Sequence, residues 1–142
     1  THCISSAASD VYKRQRYENA PANLQVEVQP FIEDMAKAYS DADLVICRAG
    51  ALTVTEIATA GVAAIFVPLP SAVDDHQTAN AGFLANINAA KICPQATMTP
   101  ESLKTLLEPM LNRQLLMEMA VKARRQAQPD ATQHVVRLIQ EL

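Results

Sequence analysis

Hydrophobic and polar positions along the chain change spacing in blocks, first like a strand and then like a helix. Residues 24–28 alternate apolar with polar, which predicts a half-buried strand. The apolar runs Leu44–Cys47 and 63–67 lack that alternation, as expected of strands covered on both faces of a parallel sheet. A further short strand is predicted at residues 89–93.

Helical spacing occupies the stretches between these strands. Gly61 marks the end of a helix that begins near Ala51, because glycine is a common helix terminator. The predicted helices span residues 31–39, 51–60, 75–86, 101–107, 113–126 and 131–142. Strands that alternate with helices of this length predict an α/β fold, with βαβ units that form a parallel sheet.

Composition limits the classes of partner. The 142 residues are 49% hydrophobic and 19% charged, with a net charge of −3, which is typical of a globular chain. The densest basic cluster, Lys122 with Arg124 and Arg125, is small, so we expect no nucleic-acid partner. No apolar stretch reaches the roughly 18 residues of a membrane span, so we expect no membrane-spanning helix.

Cysteine and histidine spacing predicts neither a metal site nor a disulfide framework. Cys3, Cys47 and Cys93 form no Cys-x-x-Cys pair, and the histidines are scattered. Cys47 and Cys93 lie in apolar segments, where a free thiol behaves as a small hydrophobe. We therefore expect a reducing, cytoplasmic environment, and neither a metal nor a cofactor.

The first 15 residues differ in character from the rest. They carry no targeting signal and no periodicity that continues into the following sequence. Residues 5–15 match, at every position, the conceptual translation of a transposase adapter used in DNA library preparation. We therefore expect residues 1–15 to be a non-native tail, and residues 16–142 to be an incomplete domain.

The segment 47–56 follows the strand Leu44–Cys47, and open parallel sheets bind ligands beyond the carboxyl ends of their strands. Gly50 permits a tight turn and close backbone approach. The amides of residues 51–53 are then donors suited to a diphosphate at a helix start. The carboxylate of Glu56, one turn further on, can accept both hydroxyl hydrogens of a ribose diol.

The same spacing has a purely structural interpretation. Thr53 and Glu56 stand three residues apart, as in a capping box, where the two side chains only start the helix. Spacing alone favours the cap over the ligand and leaves both open.

A second candidate segment follows the next predicted strand. Asp74 or Asp75 is placed to cap the helix that begins there. Gln77 has both donors and an acceptor for vicinal sugar hydroxyls, and Asn80 shares its helix face. The alternative for His76, Gln77 and Asn80 is an exposed polar helix start. A serine-hydrolase site is not indicated, because Gly-x-Ser-x-Gly is absent.

These segments resemble the MurG family, the bacterial undecaprenyl-diphospho-muramoylpentapeptide β-N-acetylglucosaminyltransferases. The similar segments are residues 31–35, 47–56, 66–70 and 75–81. The resemblance extends from about residue 24 to the C-terminus. It implies an α/β fold with an incomplete Rossmann-like parallel sheet, the C-terminal, donor-binding half of a GT-B glycosyltransferase. The implied reaction moves N-acetylglucosamine from UDP-GlcNAc to lipid-linked muramoyl-pentapeptide, with inversion. It converts lipid I to lipid II in peptidoglycan synthesis, at the cytoplasmic membrane face.

The resemblance also implies residue roles. The backbone of Ile32 would read the uracil edge, Glu56 would hold the ribose hydroxyls, and Gln77 the sugar hydroxyls. His76 stands where some members carry a second glutamine. The implied substrate-binding set is Ile32, Arg48, Gly50, Ala51, Leu52, Thr53, Glu56, His76, Gln77 and Asn80.

Several parts of the family have no counterpart in this sequence. They are the acceptor domain with its glycine-rich loops, the candidate general base, the membrane-docking patch and the first strand of the donor domain. The resemblance therefore implies that this segment carries no catalytic residue and no membrane contact, and that it does not transfer the sugar alone. The missing domain would bind the lipid-linked acceptor. In the implied strand order, segment 24–28 would lose its neighbour and Leu44–Cys47 would form an open edge.

Two other functions stay open at this point. One is another enzyme of the same architecture, such as a UDP-GlcNAc 2-epimerase or a diacylglycerol glycosyltransferase. The other is a non-catalytic module that binds nucleotide sugars. Natural sequence upstream of Arg16 would discriminate between them, because an acceptor domain with glycine-rich loops would favour the cell-wall enzyme.

Overall fold

The computed structural model describes residues 2–6, 21, 23–70 and 75–141. The chain divides into two compact units, Thr1–Ala38 and Tyr39–Leu142. Among these described residues, no helix is both long and apolar enough to cross a membrane.

The first unit contains two parallel strands, β1 (His2–Ser6) and β2 (Gln25–Gln29). His2 pairs with Gln25 at one end and Ser6 with Gln29 at the other. β2 confirms the predicted strand with a shift of one residue. The prediction that this strand would lack a neighbour is wrong, because β1 supplies one. Of the predicted tail, residues 1 and 7–15 lie outside the described residues.

Helix α1 (Met35–Asp41) begins later than the apolar spacing predicted. Phe31 lies before the helix and is 71% exposed. Asp34 starts the helix, because its Oδ1 accepts from the amide of Lys37 at 2.8 Å. The side-chain acceptor, and not the first apolar residue, therefore sets the boundary.

The second unit is built on a three-stranded parallel sheet of order β3-β4-β5. Its strands are β3 (Leu44–Cys47), β4 (Ala63–Phe66) and β5 (Ala90–Ile92). They confirm the three predicted strands, with β4 and β5 slightly shorter than predicted. Every residue of β4 is buried, as a central strand covered on both faces should be.

Strand β3 pairs only with β4 within the part of the chain that the structure describes. Its Ile46 side chain is 47% exposed. The predicted open edge is therefore confirmed, whereas the expectation that both faces of this strand are covered is wrong.

Helices and short 3-10 turns connect and flank these strands. The helices are α2 (Ala51–Ala60), α3 (His76–Ala85), α4 (Pro100–Leu107), α5 (Arg113–Arg124) and α6 (Ala131–Gln140). The 3-10 turns are Gln95–Thr97 and Glu108–Met110. α2 has the predicted boundaries, and the other four agree to within two residues at each end.

Neighbouring residues of β4 face opposite sides of the sheet. Phe66 belongs to a buried cluster with Ile57 of α2 and Leu84 of α3. Ile65 belongs to a second cluster with Met119 of α5. Burying side chains of this size contributes roughly 1.5–3 kcal/mol each. The sheet is therefore held between helices on both faces, as the predicted α/β fold requires.

Gly61 ends α2 for two physical reasons. Its φ of 67° lies in the left-handed region, and its amide donates to the carbonyls of Ile57 and Ala58. A Cβ at this position would also lie 3.1 Å from the Cβ of Arg124 on α5. The predicted helix stop is confirmed, and the glycine also permits close helix packing.

Candidate functional site

Helix α2 starts almost directly at the carboxyl end of β3. Gly50 is its N-cap residue, with φ −64° and ψ 148°, and the amide of Val54 donates to its carbonyl at 3.0 Å. The amides of residues 51–53 precede this bond and have no carbonyl one turn earlier in the helix. Leu52 is 80% exposed, so these donors stand at an open surface.

Thr53 and Glu56 do not form a capping box. Thr53 is the third residue of α2, not its N-cap, and the helix start carries no side-chain cap. Glu56 instead accepts a hydrogen bond from the hydroxyl of Tyr39, with 3.0 Å between the oxygens. The capping interpretation is therefore wrong, and the Glu56 carboxylate is exposed beside the helix start.

Gly50 has no steric need to be glycine in this structure. Its backbone conformation is one that any residue adopts. A Cβ there would lie 3.7 Å from the Thr53 hydroxyl, an ordinary contact. The turn between β3 and α2 therefore does not require glycine, and the close approach of a ligand stays a prediction.

Tyr39 is the residue that sequence reasoning missed at this site. Its side chain is only 8% exposed. Burial, then the hydrogen bond to Glu56 and the charge of Glu56, raise the pKa of Tyr39 above its usual value. In the sequence Tyr39 is one of the apolar positions of the predicted helix 31–39, and only its hydroxyl group indicates that it could form a hydrogen bond at the site.

Cys47 lies at the end of β3, close to the same carboxylate. Burial first, and then the charge of Glu56, raise the pKa of Cys47 to about 11. The thiol is therefore protonated at neutral pH and is a poor nucleophile. Cys47 and Cys93 are both free, as expected from their apolar segments.

Arg48 joins the loops that follow β3 and β4. Its Nη1 donates to the carbonyls of Val67 and Pro68, at 3.1 and 3.3 Å. The guanidinium carries further donors that this contact does not use. Arg48 therefore fixes the exit of the central strand and still presents positive charge near the start of α2.

Helix α3 starts without the predicted aspartate cap. Asp75 has a left-handed backbone, with φ 52°, and its side chain caps no backbone amide. Its Oδ1 accepts from the hydroxyl of Thr78 at 2.6 Å instead. Asp74, the alternative cap, lies outside the described residues.

Gln77 and Asn80 are half-buried and connect α3 to neighbouring loops. Gln77 Oε1 accepts from the amide of Leu69 at 2.9 Å. Asn80 Nδ2 donates to the carbonyl of Ala49 at 3.1 Å. An exposed polar helix start therefore describes only His76, the first residue of α3, and is wrong for the other two.

These contacts gather most of the predicted site at one end of the sheet. The starts of α2 and α3 and the loop after β4 are linked through the hydrogen bonds of Arg48, Gln77 and Asn80. Ile32 lies in the first unit, in the segment between β2 and α1, and is half-buried. Within the described part of the chain, no group of three or more metal-ligating side chains could hold a metal ion.

Comparison with known sequences gives a family and a relative. Residues 3–135 match the family model of the glycosyltransferase family 28 C-terminal domain. The UDP-N-acetylglucosamine--N-acetylmuramyl-(pentapeptide) pyrophosphoryl-undecaprenol N-acetylglucosamine transferase of Acinetobacter baylyi is 77% identical over 129 residues. The match covers 91% of this chain and 35% of that protein, so the chain spans about a third of the relative's length.

Solved structures agree in fold. The crystal structure of Acinetobacter baumannii MurG has a TM-score of 0.93 and 66% identity, over 99% of this chain and 41% of that chain. The glycosyltransferase of kitacinnamycin has a TM-score of 0.68 at 22% identity, over 87% of this chain and 30% of that chain, a likeness of fold alone. The predicted Rossmann-like α/β fold of a GT-B glycosyltransferase is confirmed.

Proposed function

Because the chain belongs to the family of glycosyltransferase family 28 C-terminal domains, we propose that it binds UDP-GlcNAc as the donor of a sugar transfer. The acceptor is a lipid-linked muramoyl-pentapeptide, and the reaction is the inverting step from lipid I to lipid II in peptidoglycan synthesis. The 77% identity to the Acinetobacter baylyi transferase favours this reaction over an epimerase or a binding module.

The start of α2 carries the proposal. Its unpaired amides at residues 51–53 and the positive end of the helix dipole suit the diphosphate of the donor. Gly50 contributes no side chain that would compete for these donors. The Arg48 guanidinium, held on the loop after β4, adds positive charge nearby.

Glu56 is the proposed ribose ligand. It is exposed one turn into α2 and has no capping role, so its carboxylate is available to hydroxyl donors. A carboxylate bound to two hydroxyls makes charge-assisted hydrogen bonds, which are stronger than neutral ones. The ribose would then lie beside the helix start that takes the diphosphate.

Gln77 is the proposed ligand of the sugar hydroxyls. Its Oε1 is held by the Leu69 amide, which fixes the side chain and leaves the Nε2 donors for the sugar. His76 is the first residue of the same helix, and Asn80 joins that helix to Ala49. The contact of the Ile32 backbone with uracil stays a prediction from the sequence resemblance.

The match covers only 35% of the Acinetobacter baylyi transferase, so the remaining functions are proposed for the rest of such a protein. We propose that an acceptor domain supplies the catalytic base and the contact with the cytoplasmic membrane face. We also propose that residues 1–15 are a non-native tail. In this account the complete enzyme supports cell-wall growth, and through it cell shape and division.

A chimera tests this function directly. Residues 16–142 would replace the corresponding C-terminal part of the Acinetobacter baylyi transferase, and transfer of N-acetylglucosamine to a lipid-linked acceptor would be measured. We expect transfer by the chimera and none by residues 16–142 alone. A folded chimera that neither binds UDP-GlcNAc nor transfers the sugar would contradict the proposal.

A further inference from the structure

Tyr39 anchors a surface carboxylate from inside the core. Its ring belongs to the buried cluster that contains Ile57 and Phe66. Its hydroxyl lies 3.0 Å from Glu56 Oε2. Because a buried ring has little freedom, it fixes the hydroxyl in space, and the hydroxyl in turn fixes one oxygen of the exposed Glu56 side chain.

The direction of this hydrogen bond is settled by chemistry. Burial and the neighbouring Glu56 charge raise the pKa of Tyr39, so its hydroxyl keeps its proton through the physiological range. An ionised carboxylate has acceptors only, so Tyr39 donates and Glu56 accepts. A neutral donor also leaves the negative charge of Glu56 in place, whereas a lysine or arginine partner would compensate it.

We propose that Tyr39 is a positioning residue for donor binding, which aims the Glu56 carboxylate at the ribose diol. This inference rests on the proposed function, in which Glu56 is the ribose ligand. The two carboxylate oxygens offer about four acceptor sites, and Tyr39 occupies one of them. The remaining sites are sufficient for both ribose hydroxyls, so the anchor and the ligand do not compete.

A purely structural role for the Tyr39 hydroxyl makes a different prediction. Tyr39→Phe keeps the ring in the apolar cluster, and Glu56 is exposed, so water replaces the lost donor. We therefore expect the melting temperature of Tyr39→Phe to stay close to that of the parent chain. A structural role would weaken every ligand equally, whereas positioning of Glu56 affects only ligands that carry ribose hydroxyls.

The test compares UDP with 2′,3′-dideoxy-UDP, which lacks the diol. Both are titrated into the chain and into its Tyr39→Phe, Glu56→Gln and doubly substituted variants. We expect Tyr39→Phe to weaken UDP about 3- to 10-fold and to change dideoxy-UDP less than about twofold. When Glu56→Gln is already present, Tyr39→Phe should cause no further loss of UDP affinity.

A matched control removes a hydroxyl next to Glu56 in the sequence that does not donate to the Glu56 carboxylate. Thr55→Val deletes the hydroxyl that donates to the carbonyl of Ala51, one residue before Glu56 in the sequence. It should leave the preference for UDP over dideoxy-UDP unchanged. Glu56→Asp is a second test, because the shorter side chain retreats from Tyr39 but keeps its charge, and it should reproduce the loss seen in Tyr39→Phe.

The outcomes separate the inference from the proposed function. If Glu56→Gln keeps the natural preference for UDP, Glu56 does not hold the ribose and the proposed role fails. If Glu56→Gln loses that preference while Tyr39→Phe or Glu56→Asp keeps it, only the role of Tyr39 is overturned. Equal weakening of both ligands in Tyr39→Phe would also overturn it.

Discussion

Two helices of the second unit begin in opposite ways. The start of α5 is closed by Asn112, whose Oδ1 accepts from the amides of Gln114 and Leu115 at 2.9 and 3.2 Å. The start of α2 follows Gly50 and has no side-chain cap. α2 therefore lacks a contact that α5 has, and an N-cap of this kind stabilises a helix by about 1 kcal/mol.

The difference is informative only together with the place in the fold where each helix begins. α2 and α3 begin after strands of the sheet, and neither start is capped by a side chain. α4 also follows a strand of the sheet, β5, but its start has a full capping box between Thr99 and Ser102. α6 also lacks a side-chain cap, so an open start by itself does not mark a site. The informative feature is an open start at the carboxyl end of a parallel strand.

Gly50→Asp should have the largest effect, because it gives α2 a side-chain cap like that of α5. The backbone of Gly50 and the 3.7 Å spacing to Thr53 accept a side chain, so an aspartate can cap the amides that α2 leaves open. It also places a negative charge where the diphosphate should bind, and such like-charge pairs cost several kcal/mol. We expect UDP-GlcNAc binding to fall by more than about 100-fold. Calorimetric titration measures the affinity.

Gly50→Asn is the control for charge. Asparagine caps as well as aspartate but brings no negative charge, so its loss of affinity should be clearly smaller. Both variants should melt at or slightly above the temperature of the parent chain. Unchanged UDP-GlcNAc binding in Gly50→Asp would mean that the start of α2 does not hold the diphosphate.

Glu56→Ala has the next largest expected effect. In the chimeric enzyme it removes a charge-assisted pair of hydrogen bonds and should weaken use of UDP-GlcNAc by about 1.5–3 kcal/mol. Glu118→Ala on α5 is the matched control, because Glu118 is also an exposed glutamate on a helix. Its Oε1 accepts a hydrogen bond from Gln114 Nε2 at 3.2 Å, and it is not one of the proposed donor ligands. Donor kinetics that change equally in both variants would remove the ribose role of Glu56.

Asn112→Ala tests the capped member of the pair. Loss of the cap should lower the free energy of unfolding by about 1 kcal/mol, measured by urea denaturation. UDP affinity should not change, because Asn112 is not one of the proposed donor ligands. Asn112→Asp should restore the stability. A fall in UDP affinity with no loss of stability would contradict this assignment, because the start of α5 would then bind the ligand and its cap would not stabilise the fold.

The parts of the fold that sequence predicted depend on local patterns. The apolar runs of β3 and β4 and the stop at Gly61 are visible in neighbouring residues, and their elements were predicted to within a residue. The late start of α1 was missed, because Phe31 extended the apolar spacing past Asp34, whose side chain begins the helix.

The parts of the site that sequence missed depend on contacts between distant positions. Tyr39 and Glu56 are 17 residues apart, and Ala49 and Asn80 are 31 apart. Such pairs form only when the strands and helices pack, so the spacing of residues along the chain does not predict them. The false capping box has the same origin, because the exit from β3 fixed the helix start at Gly50, three residues before Thr53.

The smallest expected effect concerns α3, the other helix that starts uncapped after a strand. Gln77→Ala removes the proposed sugar contact but leaves the start of α2 and Glu56 untouched. We expect unchanged UDP binding and a loss of about 1 kcal/mol in the preference for UDP-GlcNAc over its C4 epimer. Competition kinetics with the two donors measures this preference in the chimera.

Thr78→Ala is the matched control on the same helix. Its exposed hydroxyl donates to Asp75 at 2.6 Å, so the substitution disturbs the helix start without removing the proposed sugar ligand. Gln77→Ala also leaves the Leu69 amide without its side-chain acceptor, and water can replace that acceptor because the contact is exposed. If UDP and UDP-GlcNAc weakened equally in Gln77→Ala, the residue would act through the Leu69 loop. Its effect on selectivity would then match that of Thr78→Ala, and α3 would carry no sugar contact at this position.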